Sequence, residues 1–112
     1  MRLPHDPTVL ELLPIFCDYW EHNFDVDWWP RVRTTRSLEG LRHLGHTVVG
    51  SFGQFGVPEG APLGQALMIC ARDGDWAAAE RHTETLRELV RQVRRALAEE
   101  GPNGEAPADD IP

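Results

Sequence analysis

"WAAAERHTETLRELVRQVRRAL", residues 76–97, decides the fold. Trp76, Ala79, Thr83, Leu86, Val90, Val93 and Leu97 recur at alternating spacings of three and four, the period of one helix face. The positions between them are mostly charged or polar and need water. An apolar stripe this long and narrow has to be laid against other helices. Asp75 stands where a carboxylate can accept from the free N–H groups of the first turn. The stretch predicts the last helix of a bundle.

Working back toward the N-terminus, the same period returns. "RDGD" (72–75) ends a short helix supported by Leu63, Ala66, Leu67 and Cys70, and Gly56 and Pro58 mark the connection before it. Ser37 reads as the N-cap of a helix starting at Leu38, whose stripe is Leu41, Leu44, Gly45, Val48 and Phe52. Asp6-Pro7 reads as an N-cap followed by proline in the first turn. Leu10, Leu13, Phe16, Trp20, Phe24, Trp28 and Val32 then follow three or four apart. Pro14 should kink this segment near its start, and Pro30 should kink or break it again; one bent helix and two pieces both fit. Trp28 and Trp29 are candidates to fill the end of the bundle, or to mark a docking spot. The pattern holds no repeat and no strand. An all-α, antiparallel up-down four-helix bundle with a short or kinked N-terminal helical segment is expected over residues 1–98. Residues 99–112, "EEGPNGEAPADDIP", are acidic, rich in proline and without aromatics, and read as a disordered tail.

At 112 residues the chain makes one domain. A chain of this size buries about two thirds of its unfolded surface, so it has one economical core and little room for a deep substrate cavity. Eighteen acidic residues against 11 basic ones, all of them arginine, give a formal net charge of -7. That balance argues against nucleic acid and anionic membrane as partners. Cys17 and Cys70 read as two reduced, partly buried thiols rather than a disulfide framework. The N-terminus, "MRLPHDPTVLELLP", is interrupted by prolines and acids and is not a signal peptide. No apolar run approaches the roughly 18 residues of a membrane span. A cytoplasmic, freestanding monomer is expected.

The least charged, most glycine-rich stretch surrounds a histidine: "LGHTVVGSFGQFG", residues 44–56. His46 lies outside the apolar stripe, and Arg42, His43, Val49, Gly50 and Gly53 fall three, four or seven residues from it on the same face. Each glycine costs about 1 kcal/mol of helix stability relative to alanine. Gly50 and Gly53 remove the side chains that would screen the imidazole. A bare lane beside an exposed histidine suits the surface of another protein rather than a small molecule. A metal site using His43 and His46 would need acids facing inward from other helices, yet both histidines lie off the stripe, so no metal is expected.

"RHLGHTVVGSFGQFG" (42–56) resembles the phosphoacceptor helix of histidine-containing phosphotransfer (HPt) domains. The family pattern has a hydrophobic residue two after the histidine, a cation three after, glycine four after, small residues next, and glycine ten after. Here His46, Val48, Gly50, Ser51 and Gly56 match it. "LELLPIF", "LGQAL" and "ARDGDWAAAERHTETLRELV" resemble the family's other helices, so the likeness covers about Asp6 to Leu97. The resemblance implies a phosphorelay intermediate: His46 would accept a phosphoryl group from the aspartate of a receiver domain and pass it on. No kinase activity of its own is implied, and the magnesium ion would belong to the receiver. Two positions depart from the pattern. Val49 replaces the usual cation, with Arg42, and more weakly His43, as substitutes. A family glutamine that bonds the histidine falls on Met68, with Gln65 one turn earlier. The departures raise the alternative of an adaptor that binds a receiver or kinase without relaying phosphate.

Overall fold

The computed structural model describes residues 1–100. It contains α1 (Pro7–Asp25), α2 (Trp28–Thr35), α3 (Leu38–Gln54), α4 (Gly60–Asp73) and α5 (Trp76–Glu100), with no strand among the described residues. The four long helices form an up-down bundle. Asp18 and Glu21 meet Arg94 while Asp25 meets Arg87, which sets α1 antiparallel to α5. Helix α5 continues through Glu100, two residues into the stretch expected to be tail; residues 101–112 lie outside the described part.

The three expected caps are all present. Asp6 accepts from the Thr8 N–H at 2.9 Å, Ser37 from Gly40 at 2.9 Å, and Asp75 from Ala78 at 3.0 Å. Removing the Ser37 hydroxyl leaves the start of α3 with an unpaired donor. Ser37→Ala is therefore expected to cost about 1 kcal/mol. For a domain of this size, that lowers the melting temperature by about 4–8 °C in a thermal unfolding experiment.

The N-terminal segment is two helices. Helix α1 runs through Pro14 without ending and stops at Asp25; the N–H groups of Val26 and Asp27 both close onto the His22 carbonyl. Pro30 is the third residue of α2, where a missing N–H leaves no intrahelical bond unmade. In one continuous helix its ring would meet the carbonyl of Val26, so the break falls one turn upstream of the proline.

The core is aromatic where α1 meets α3. Phe16 stands edge-on to Phe52 at 4.9 Å, and Trp20 stacks on Phe24 at 5.1 Å. Trp29 is fully buried against Trp76, 6.5 Å between ring centres, and fills the end of the bundle. Leu86, Val90 and Val93 of α5 are fully buried, as their spacing requires. Thr83 shares that stripe, and neither its hydroxyl nor the Trp29 indole N–H has a partner among the described residues. Both cysteines are free and buried, and burial pushes the Cys17 thiol up to about 11.

Between α3 and α4 the packing has a different cause. These two helices make the most extensive contact of any pair. A methyl group on Gly45 would lie 2.5 Å from the Gly64 carbonyl oxygen, and one on Gly64 would lie 2.6 Å from the Gly45 carbonyl oxygen. The two backbones touch there because neither residue has a side chain. Farther along, Gly60 lies against the Phe52 ring. At the end of α3, Gly56 adopts a left-handed φ of 76° and takes Pro4 against it, so the N-terminal segment crosses the α3–α4 connection.

Candidate functional site

Helix α3 buries Leu41, Leu44, Gly45, Val48 and Phe52 and turns His46 to solvent. The helical period dictates this: His46 follows Gly45, which is spent on the α4 crossing, and precedes Val48, which is core. Among the described residues no hydrogen bond engages the imidazole. One turn later comes Gly50, and two turns later Gly53; both are exposed, and a methyl group on either would meet nothing within 4 Å. The lane expected beside the histidine is open.

On one side the lane borders α1. Leu12, Ile15 and Tyr19, one turn apart, are 41 %, 63 % and 48 % exposed. Between α1 and α3 runs an apolar groove of about 300 Å³, lined by Ile15, Phe16, Tyr19 and Trp20 on one side and by Thr47, Ser51 and Phe55 on the other. The Trp20 indole N–H donates to the Ser51 hydroxyl at 3.0 Å, joining the two helices at the groove. The histidine thus sits at the edge of one surface, half lane and half apolar groove. The spacing of Leu12, Ile15 and Tyr19 is visible in sequence, but α1 also carries a buried stripe, and spacing alone does not reveal which apolar residues stay exposed.

On the other side the lane borders α4, and here the expectation for Val49 changes. Val49 is not a free part of the outer face. It is half-buried, its methyl group placed against Gly64, because the glycine crossing draws α4 close enough for a short branched side chain to fill the seam. Met68 belongs to the same seam, packing over Gly45. Gln65 is exposed, and no hydrogen bond joins it to His46 among the described residues.

His43 is exposed but turned the other way, its ring edge-on to Trp28 at 5.3 Å. It lines a cavity of about 610 Å³ with Asn23, Asp27, Arg31, Thr35 and Ser37, away from the lane. The polar groups of that cavity serve the fold: Asn23 donates to the Tyr19 carbonyl, Asp27 pairs with Arg31, Thr35 donates to the Arg31 carbonyl, and Ser37 caps α3. Arg42 does share the His46 face, but its guanidinium is bonded to Glu39 at 2.6 Å. That bond holds the Glu39 carboxyl below the usual carboxylate range. Of the expected supporting residues, Gly50 and Gly53 stand free beside His46, and Arg42 stands there already engaged.

Among the described residues no group of three or more His, Cys, Asp or Glu is placed to hold a metal ion, and no helix is long and apolar enough to cross a membrane. Such an arrangement can present one nucleophilic imidazole to a large surface. Compared with known proteins, the chain matches the Hpt domain family over residues 11–96. No curated protein and no solved structure matches it.

Proposed function

The chain belongs to the Hpt domain family, phosphotransfer domains of two-component signalling that interact with receiver domains, and on that premise we propose that it relays a phosphoryl group through His46. One observation carries the reading: an exposed histidine stands on the glycine lane, with open space at Gly50 and Gly53. Neutral imidazole is a nucleophile near pH 7. Its unprotonated nitrogen attacks the phosphorus of an aspartyl phosphate on a receiver; the phosphorus–oxygen bond of that mixed anhydride breaks and the aspartate leaves as carboxylate. Transfer to a second receiver runs the same exchange in reverse. Such transfer depends mainly on in-line placement and charge stabilisation. Here the receiver and its magnesium ion supply most of both, and the bundle supplies a rigid imidazole and a surface.

That surface is the groove between α1 and α3. Its exposed aliphatic and aromatic residues suit an apolar patch on the receiver beside the phosphorylated aspartate. Ile15→Ser removes an anchor that the fold does not need, since Ile15 is 63 % exposed. Binding to a cognate receiver is expected to weaken roughly tenfold, about 1.4 kcal/mol, with unchanged helicity. Titration calorimetry against the receiver reads the first and circular dichroism the second.

A second reading, an adaptor that docks a receiver without relaying, is favoured by Val49. The position one turn beyond the histidine carries a methyl group in the α4 seam where the family carries a cation. The deciding experiment incubates the protein with a phosphorylated receiver and magnesium. Acid-labile label on the bundle supports the relay; binding with no label from any receiver that binds supports the adaptor.

A further inference from the structure

We propose that Glu39 is a positioning residue that holds Arg42 away from His46, and that a phosphoryl group on His46 draws Arg42 across. The inference rests on the reading of His46 as phosphoacceptor and deepens it. Glu39, Arg42 and His46 share one exposed stripe of α3, three and four residues apart. Arg42 makes two bonds to Glu39, 2.6 Å and 3.4 Å, and both side chains are more than half exposed.

Direction explains why the pair forms. Helical side chains lean toward the N-terminus of their helix, so Arg42 naturally reaches back to Glu39. A cation three residues after His46 would lean toward the imidazole by the same rule, but that position is Val49. Arg42 has to be turned forward, against its lean and away from a carboxylate, before it can offset charge at His46. A phosphoryl group supplies the reason to turn. It carries about -1.5 to -2 charges against the single charge of Glu39, and offers three strong acceptor oxygens. Adjacent turns put the two side-chain origins about 5–6 Å apart, within reach of a guanidinium. The pair is exposed and screened, so the competition is close and one substitution can tip it.

The test uses the full chain, phosphoramidate as donor and a double-mutant cycle of wild type, Glu39→Gln, Arg42→Gln and both together. Phosphoramidate loses ammonia as the phosphorus–nitrogen bond to imidazole forms, so no receiver is needed. With Arg42 released, His46 is expected to phosphorylate about two- to fivefold faster in Glu39→Gln than in wild type. The pH midpoint of the phosphohistidine phosphorus resonance is expected to fall, because a nearby cation favours the dianion. Both effects are expected to vanish in the Arg42→Gln background. Equal rates and midpoints for wild type and Glu39→Gln overturn the proposal. So does an effect of Glu39→Gln that persists without Arg42, since Glu39 then acts only by repulsion. Label mapped to His46 from phosphoramidate, but none from receivers that bind, overturns the relay and leaves this proposal to the cycle. No label on His46 from either donor overturns both.

Discussion

Replacing His46 by glutamine is expected to reduce acid-labile labelling from a phosphorylated receiver to background while leaving the protein folded and able to bind that receiver. Glutamine keeps a side chain of similar reach but has no nucleophilic nitrogen, so the phosphorus–nitrogen bond cannot form. The fold should not notice, because the imidazole is exposed and engaged in no hydrogen bond among the described residues. Surface substitutions away from such features usually stay within about 0.5 kcal/mol of wild type. Three readings on one sample separate the explanations: label on the gel, melting temperature, and receiver affinity by calorimetry. Loss of label with the other two unchanged assigns the chemistry to His46. Full labelling of the variant would move the acceptor elsewhere and end the relay reading of this helix.

The second large effect concerns four glycines of α3 and α4, two in the crossing and two on the open lane, which should respond with opposite signs. Gly45→Ala and Gly64→Ala each drive a methyl group into a backbone carbonyl, at 2.5 and 2.6 Å. No rotamer relieves that contact, so α3 and α4 must separate. Overpacking of this kind costs about 3 kcal/mol at the upper end of its range, and the gain in helix propensity returns about 1 kcal/mol. A net loss of about 2 kcal/mol lowers the melting temperature by about 8–16 °C. Gly50→Ala and Gly53→Ala meet nothing within 4 Å, so only the propensity term acts. Each is expected to stabilise by about 1 kcal/mol. A thermal melt of all four variants decides it. A stable Gly45→Ala would mean that the helices do not need their close crossing, and a destabilised Gly50→Ala would mean that the lane is not open.

These four residues also show how far the chain can be read before its structure is seen. Gly45 falls on the apolar stripe by counting, and Gly50 and Gly53 fall off it, so the two classes are legible on α3 alone. Gly64 is not, because nothing in "LGQAL" says which residue faces Gly45; that depends on the length of the connection from Gly56 to Gly60. Val49 is only half legible for the same reason. Helical period puts it near His46, but only the approach of α4 turns an outer position into a seam. His43 has the right spacing too, and Trp28 draws its ring toward α2. The aromatic and aliphatic stripes, the caps at Asp6, Ser37 and Asp75, and the exposure of His46 are set within one helix, and those are the features that local spacing conveys. The break before α2 is intermediate: Pro30 signals it, but steric conflict with Val26 places it a turn earlier.

The surface around His46 is divided between two helices. His46 and its cleared lane are on α3, the exposed Leu12, Ile15 and Tyr19 are on α1, and the Trp20–Ser51 bond spans them. On the proposed relay reading, reactivity and partner choice are therefore written in separate segments of the gene. Under that reading, selection could revise Ile15 or Tyr19 to suit a new receiver without altering a single residue of the helix that carries His46. Duplicated copies of such a bundle could then diverge in whom they bind while keeping the same histidine helix.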